Sequence, residues 1–281
     1  MKGLAVLVLC VVNSCWALPS LGRTRALPWR DVVASSKTNR IIGGQPAQLG
    51  QFPWQVGVIG VNSAGGAWLC GGALVGKSWV LTAAHCVSGA VVFNLYLGGL
   101  TISGTEDGRV LVLATDYIAH TGFNNNLNYD IALIRLDSLV DTTDRIAPIR
   151  LPQPGTFIEG GTPLVVSGWG KTSQAATGSS PILNYVGVQA ITNQECSLVY
   201  GSATVIESTL CTRGQTNEGT CSGDSGGPLV SFDEDGVATL QGIVSFGAAA
   251  GCDLGYPSGF ARVGELLEWI RSSTNNEVVP P

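Results

Sequence analysis

Between Trp54 and Val263 the chain breaks repeatedly into apolar runs of four to seven residues, rich in β-branched side chains and separated by Gly, Pro, Asn or Asp. The runs fall at 54–59, 79–82, 91–97, 110–113, 131–136, 164–167, 186–190 and 240–245. Segments this short fit single strands, and the 38 glycines supply turns between them, which is an all-β signature. The length exceeds one small barrel, and a Pro/Gly-rich bridge at 148–161 divides the chain, so two packed β-barrels are expected. One late segment has helical spacing instead: Val263, Leu266, Leu267 and Ile270 recur on one face, which predicts a C-terminal helix at about 263–273. The tail after Thr274 is expected to fray.

The N-terminus reads differently. A positive charge at Lys2, an apolar run over 4–12 and the small residue Ala17 have the pattern of a secretory signal peptide at 1–17, and the run is too short to span a bilayer. Residues 18–40 are basic, carry Pro19 and Pro28, and lack apolar periodicity and cysteine, as a disordered pro-segment would. Arg40 directly precedes Ile41-Ile42-Gly43-Gly44, so cleavage after Arg40 is expected, leaving a domain over 41–281. Residues 1–40 hold six of the 15 basic and one of the 20 acidic residues, so their removal leaves a net charge of −10. A nucleic-acid partner would need a basic face, which this balance excludes. Lys77 and Lys171 are then the only lysines. Survival in a protease-rich fluid such as gut contents and simple compositional drift both account for that.

Six cysteines remain after cleavage: Cys70, Cys86, Cys196, Cys211, Cys221 and Cys252. They indicate an oxidising compartment and allow 15 pairings, among which sequence alone does not choose. Zinc is the rival use of cysteine, but one nearby histidine and long spacings fit it poorly. Glu106-Asp107 is an acidic pair that is only suggestive of calcium, and calcium dependence stays open. No metal or cofactor is expected.

The chemistry gathers in three places. Residues 219–228 (GTCSGDSGGP) set Ser225 in a glycine-rich turn, Thr82-Ala83-Ala84-His85-Cys86 sets a histidine beside a cysteine, and Asp130 heads the apolar run 131–134. A serine hydroxyl is a poor nucleophile until a base takes its proton and donors hold the resulting oxyanion. The order His85, Asp130, Ser225 is one of the chain orders of a Ser-His-Asp triad. His120 sits in YIAHTGF with no nucleophile nearby and reads as structural.

Five motifs in order, IIGG, TAAHC, NYDIAL, SGWG and CSGDSGGPL, make the segment from Ile41 to about Arg271 resemble the trypsin/chymotrypsin family of serine endopeptidases. The segment AAAGCDLGYPSGF and the three-bridge cysteine pattern are similar to arthropod digestive chymotrypsin-like and brachyurin-type enzymes. The resemblance implies two antiparallel six-stranded β-barrels, over about 41–150 and 151–262, with the cleft between them. It also implies the bridges Cys70–Cys86, Cys196–Cys211 and Cys221–Cys252. His85 would be the general base, Asp130 its orienting carboxylate and Ser225 the nucleophile. The N–H groups of Gly223 and Ser225 would form the oxyanion hole. Asp224 would pair with the new α-amine of Ile41.

By the same alignment Gly219 floors the primary pocket, Gly247 forms its wall and Ser258 completes its lining. Ser245, Phe246 and Gly247 would pair with the substrate backbone, and Leu127 with Phe246 would wall the next subsite. A neutral floor and a glycine wall suit Phe, Tyr, Trp or Leu. Asp253 leaves mixed specificity open, because it would help a basic side chain if its loop turned inward. Relatives that cleave collagen carry an acid where this chain has Ser258. The resemblance thus implies a secreted, monomeric zymogen acting on protein or peptide substrates, with a trypsin-like activating protease and protein inhibitors as partners. Neither nucleic acid nor membrane is an expected partner. A catalytically silent homologue that only binds, a cascade protease and a broad-specificity collagenolytic or elastase-like enzyme are the competing readings. All three triad residues are present, which a silent homologue usually lacks, and 18–40 carries no cysteine-bearing module of the cascade type.

Overall fold

Strand β5 (Val92–Leu97) shows in miniature how the sequence writes the fold: Phe93, Leu95 and Leu97 are buried while Val92, Asn94 and Tyr96 are half-exposed. That period-two pattern places one face on a core and the other at the surface. The computed structural model describes residues 44–214 and 219–281. The expected cut after Arg40, Ile41, the signal peptide and the pro-segment lie outside the described residues.

The first sheet comprises β2 (Gln55–Val61), β3 (Ala67–Leu74), β4 (Trp79–Thr82), β5, β6 (Val110–Ala114), β7 (Tyr117–Ala119) and β8 (Ala132–Arg135), in the order β6-β5-β2-β3-β4-β8-β7. Every pairing is antiparallel. The second comprises β9 (Pro163–Gly168), β10 (Asn184–Ile191), β11 (Thr209–Thr212), β12 (Pro228–Phe232), β13 (Ala238–Phe246) and β14 (Ser258–Arg262). It runs β10-β11-β14-β13-β12-β9 and closes through a direct β9–β10 pairing into a six-stranded barrel. Both sheets curl around apolar interiors, one built on Val56, Phe93 and Leu133, the other on Leu164, Val186 and Phe260.

Each of the eight apolar runs falls on a strand. β3 escaped the reading because its centre is Gly71-Gly72. The fold needs those glycines: a Cβ on Gly71 would come 2.7 Å from Gly227 Cα, and one on Gly72 would come 2.7 Å from Val80 Cγ1. The first of these is where the barrels touch, backbone to backbone. The start of the chain departs from the expected division at 150. Strand β1 (Gln45–Pro46) pairs with β10, so the N-terminal segment belongs to the second sheet although it precedes the first.

Among the described residues three short helices complete the fold: α1 (Ala84–Val87), α2 (Asn193–Tyr200) and α3 (Leu267–Ser273), the last continuing a 3₁₀ turn at Val263–Leu266. Helix α2 begins with a capping box in which Thr192 Oγ1 accepts from Glu195 N–H at 3.1 Å and the Glu195 carboxylate accepts from Thr192 N–H at 2.9 Å. The tail after Thr274 does not fray. Trp79 Nε1–H and the Ser78 hydroxyl donate to the Glu277 carboxylate at 2.9 and 3.1 Å, and Val278 is buried beside Gly76. Disulfides join Cys70–Cys86, Cys196–Cys211 and Cys221–Cys252. No helix among the described residues is long and apolar enough to cross a membrane.

Candidate active site

His85 lies in α1, directly after β4, with Cys86 tied to β3 through Cys70. The bridge and the short helix fix the backbone that carries the imidazole. Asp130 immediately precedes the buried run into β8, and β8 pairs with β4 in register, Thr82 opposite Ala132. Adjacent strands therefore deliver histidine and acid to the same end of the sheet. The Asp130 carboxylate is fully buried and takes three donors: His85 N–H at 2.9 Å, His85 Nδ1 at 2.7 Å and the Ser245 hydroxyl at 2.6 Å. A carboxylate against Nδ1 places the proton there and leaves Nε2 as the basic nitrogen. Ser245 belongs to β13 of the second barrel, so both barrels hold this carboxylate. The sequence singled out Ser245 for substrate pairing; its bond to Asp130 is a fact of barrel packing.

Ser225 is half-buried in the turn before β12 and lines a pocket of the second barrel with Ser245, Phe246 and Gly247. Its carbonyl accepts from Gly71 N–H at 2.7 Å, which ties the Ser225 turn to the first barrel. Gly226, at φ 78°, has Thr82 Oγ1 and Gly71 O within 2.5 Å of where a Cβ would stand, so only glycine fits there. Among the described residues no hydrogen bond joins Ser225 to His85, whose Nε2 lies 3.7 Å from Cys86 Sγ. In unliganded sites the contact between nucleophile and base is commonly long and tightens with substrate. The N–H groups of Gly223 and Ser225 likewise donate to no acceptor among the described residues. Gly223 has φ 101°, and a Cβ there would crowd Gly170 Cα at 3.1 Å.

Asp224 turns away from the cleft. It is fully buried and accepts from Gly170 N–H at 2.8 Å and Cys221 N–H at 3.0 Å. Burial pushes its pKa up to about 6 against those two donors. Gly168 and Gly170 leave it room, since a Cβ on either would come within 2.3 Å of the carboxylate. A buried carboxylate with two amide donors and no cation among the described residues is costly when ionised.

Ser245, Phe246 and Gly247 line the cleft beside Ser225, with Thr220 and the Cys221–Cys252 bridge. Gly219 and Ser258 are not among the residues that line it; Ser258 bonds to Thr220, which is one of them. Among the described residues a side chain on Gly219 would meet Ser258 Oγ alone, at 3.7 Å, and Thr220 Oγ1 donates to that oxygen at 3.0 Å. Nothing stands within 4 Å of a Cβ on Gly247, so the wall is open. Asp253 does not line the cleft; its carboxylate lies beside Gly251. Phe246 packs over Gly259 and edge-on to Tyr200, while Leu127 is half-buried on the loop before Asp130. Gln174, which the sequence did not single out, also lines the cleft and accepts from Cys252 N–H at 3.4 Å.

The loop that carries Asp130 is strained. Leu127 and Tyr129 both have left-handed backbones, φ 59° and 54°, at about 1–3 kcal/mol each. His120 stacks on Tyr129 with ring centroids 4.8 Å apart and touches Trp269; burial lowers its pKa, as suits a structural histidine.

Cys70, His85 and Cys86 bring their ligand atoms within 4.8 Å of one another, but the two sulfurs form one disulfide and are not thiolates. The Glu106 carboxylate accepts from Leu100 N–H, Thr101 N–H and Thr101 Oγ1 at 2.7–2.8 Å, so its oxygens are already engaged. Burial opposes its ionisation, yet these bonds and Arg109 leave its pKa below the usual carboxylate value.

The family model described as Trypsin matches residues 41–270. Brachyurin of Leptuca pugilator is 39% identical over 235 residues, covering 83% of this chain and 98% of that protein. A collagenase of Hypoderma lineatum is 38% identical over 263 residues, covering 91% and 95%. A solved structure of HL collagenase superposes with a TM-score of 0.73 at 36% identity, covering 83% of this chain and 97% of the other.

Proposed function

The chain belongs to the trypsin family and is a serine endopeptidase; from that premise we propose that His85, Asp130 and Ser225 are its catalytic groups and that it is secreted as an inactive precursor. The observation that carries this reading is the fully buried Asp130 carboxylate, 2.7 Å from His85 Nδ1 and 2.6 Å from the hydroxyl of Ser245, which lines the same pocket as Ser225. His85 Nε2 takes the Ser225 hydroxyl proton as Oγ adds to the scissile carbonyl. Asp130 balances the imidazolium that forms, and the N–H groups of Gly223 and Ser225 receive the oxyanion. The imidazolium then returns its proton to the leaving amine, giving the acyl-enzyme. Water repeats the sequence and releases the acid.

Cleavage after Arg40 by a trypsin-like protease would free the α-amine of Ile41, and Asp224 is the partner it would reach. Support comes from that carboxylate's burial and raised pKa. Secretion rests on the leader pattern at 1–17 and fits three disulfides. The neutral floor and open wall favour cleavage after Phe, Tyr or Leu in a digestive setting. The name collagenase carried by one relative favours a second reading, broad collagenolytic specificity. Hydrolysis of a peptide library diverse at the scissile residue distinguishes them.

The catalytic assignment is tested by Ser225→Ala and His85→Ala in the cleaved protein. Each should lower kcat by about 10⁴ or more, and the double variant little further, because triad members act as a unit. A phosphonylating serine reagent should label Ser225 only after cleavage. Near-normal turnover in either single variant would remove these residues from the mechanism.

A further inference from the structure

The strained loop before Asp130 is fastened at one point to the opposite barrel. Between the left-handed Leu127 and Tyr129 stands Asn128, which is buried. Its Nδ2 donates to the carbonyls of Ala203 and Thr204 at 3.1 and 3.2 Å, and its Oδ1 accepts from Asn124 Nδ2 at 3.2 Å. Carbonyls only accept, so these partners fix which end of the amide faces them. Ala203 and Thr204 lie between α2 and β11 of the second barrel, 75 and 76 residues further along the chain. Next along the loop, Tyr129 O accepts from Ile131 N–H at 2.8 Å, closing a three-residue turn whose central residue is Asp130.

Among the described residues the other left-handed ones outside glycine are Asn275 and Asn276, of a type that tolerates that conformation. Leucine and tyrosine do not, and hold it only where surrounding bonds over-determine the backbone. The asparagine between them supplies such bonds, and the direction of the Asp130 carboxylate depends on the turn that follows. We propose that Asn128 is a positioning residue: by gripping two second-barrel carbonyls it holds Leu127 and Tyr129 left-handed and so aims Asp130 at His85. The proposal rests on Asp130 being the carboxylate of the triad. Released from the grip, the two residues relax toward ordinary backbone angles and carry Asp130 away from Nδ1.

The test uses the cleaved full-length enzyme with Asn128→Ala, which removes both donors, and Asn128→Asp, which keeps the size and removes them. A displacement of about 1 Å in a catalytic group costs up to about 10²-fold in rate. Both variants should therefore lose 10- to 100-fold in kcat with little change in KM. The acid limb of the kcat/KM profile should move to lower pH, because an imidazolium with its carboxylate withdrawn is less stable. Adding Tyr129→Gly to Asn128→Ala should restore much of the loss, since glycine is left-handed at no cost. Asp130→Asn is the control. If it is inactive while both Asn128 variants fold and keep wild-type kcat and acid limb, Asn128 is merely structural and the proposal falls. If Asp130→Asn stays active, the triad reading falls first. Should the alanine variant not fold, the aspartate variant decides alone.

Discussion

Gly219 concentrates the residue-scale question of what this enzyme cuts. On the proposed reading Gly219 floors the pocket; the nearby Ser258 and Thr220 hydroxyls bond to each other, and among the described residues no acid stands there to neutralise a cation. A buried unpaired charge costs several kcal/mol, and about 1.4 kcal/mol is tenfold in rate. Cleavage after Phe, Tyr or Leu should therefore exceed cleavage after Arg or Lys by roughly 10²-fold in kcat/KM, measured on peptides differing only at the scissile residue. Equal rates would show that an acid such as Asp253 reaches the pocket in the working enzyme. Gly219→Asp should lower the ratio of aromatic to basic cleavage. It should also slow the enzyme generally, since φ 144° suits few side chains.

Among the elements, the C-terminal tail is the one whose role the sequence hides. It is short and polar until Val278, yet it caps the Ser78–Trp79 turn of the first barrel through Glu277. Ending the chain at Asn276 would leave Trp79 Nε1 unpaired and expose the site that Val278 fills. Burying a valine is worth about 1.5–3 kcal/mol and a bond to a charged acceptor about as much. Truncation should lower stability by roughly 2–5 kcal/mol in a denaturant titration and leave kcat/KM per active site unchanged. An unchanged transition midpoint would mean that the tail only rests on the barrel. Helix α2 was legible in principle: Thr192 and Glu195 spell a capping box, but the short helix behind it buries only Cys196 and so lacks the apolar stripe that announces α3.

For the molecule as a whole the decisive charge is Asp224. In the uncleaved chain its pKa is raised to about 6, so it favours the folded state while protonated, and that contribution is lost as pH rises through about 6. A rise of about two units corresponds to roughly 3 kcal/mol. An Arg40→Gln precursor should therefore lose stability between about pH 4 and pH 7 relative to the same precursor carrying Asp224→Asn. Thermal unfolding across that range measures it; parallel curves would mean that the carboxylate is already compensated. After cleavage the Ile41 ammonium should offset the loss. On the proposed activation, pairing would raise the amine's pKa from its ordinary 7.7–8.0 or so, so the active form should be favoured below that value and fade as pH climbs through the raised one.

The amino-acid sequence by itself marked eight of the strands through their apolar runs, because burying one face of a sheet demands a period of two, and it singled out His85, Asp130 and Ser225 through local motifs. It could not show that Gln45–Pro46 joins the second sheet, that Glu277 and Val278 dock on the first, or that Ser245 and Asn128 bind across the cleft. Each of these is a pairing of polar or short segments far apart in sequence, with no periodicity to announce it. Hydrophobic pattern fixes which face is inside. Which distant donor meets a given acceptor is decided only when two barrels pack and every buried polar group must find a partner.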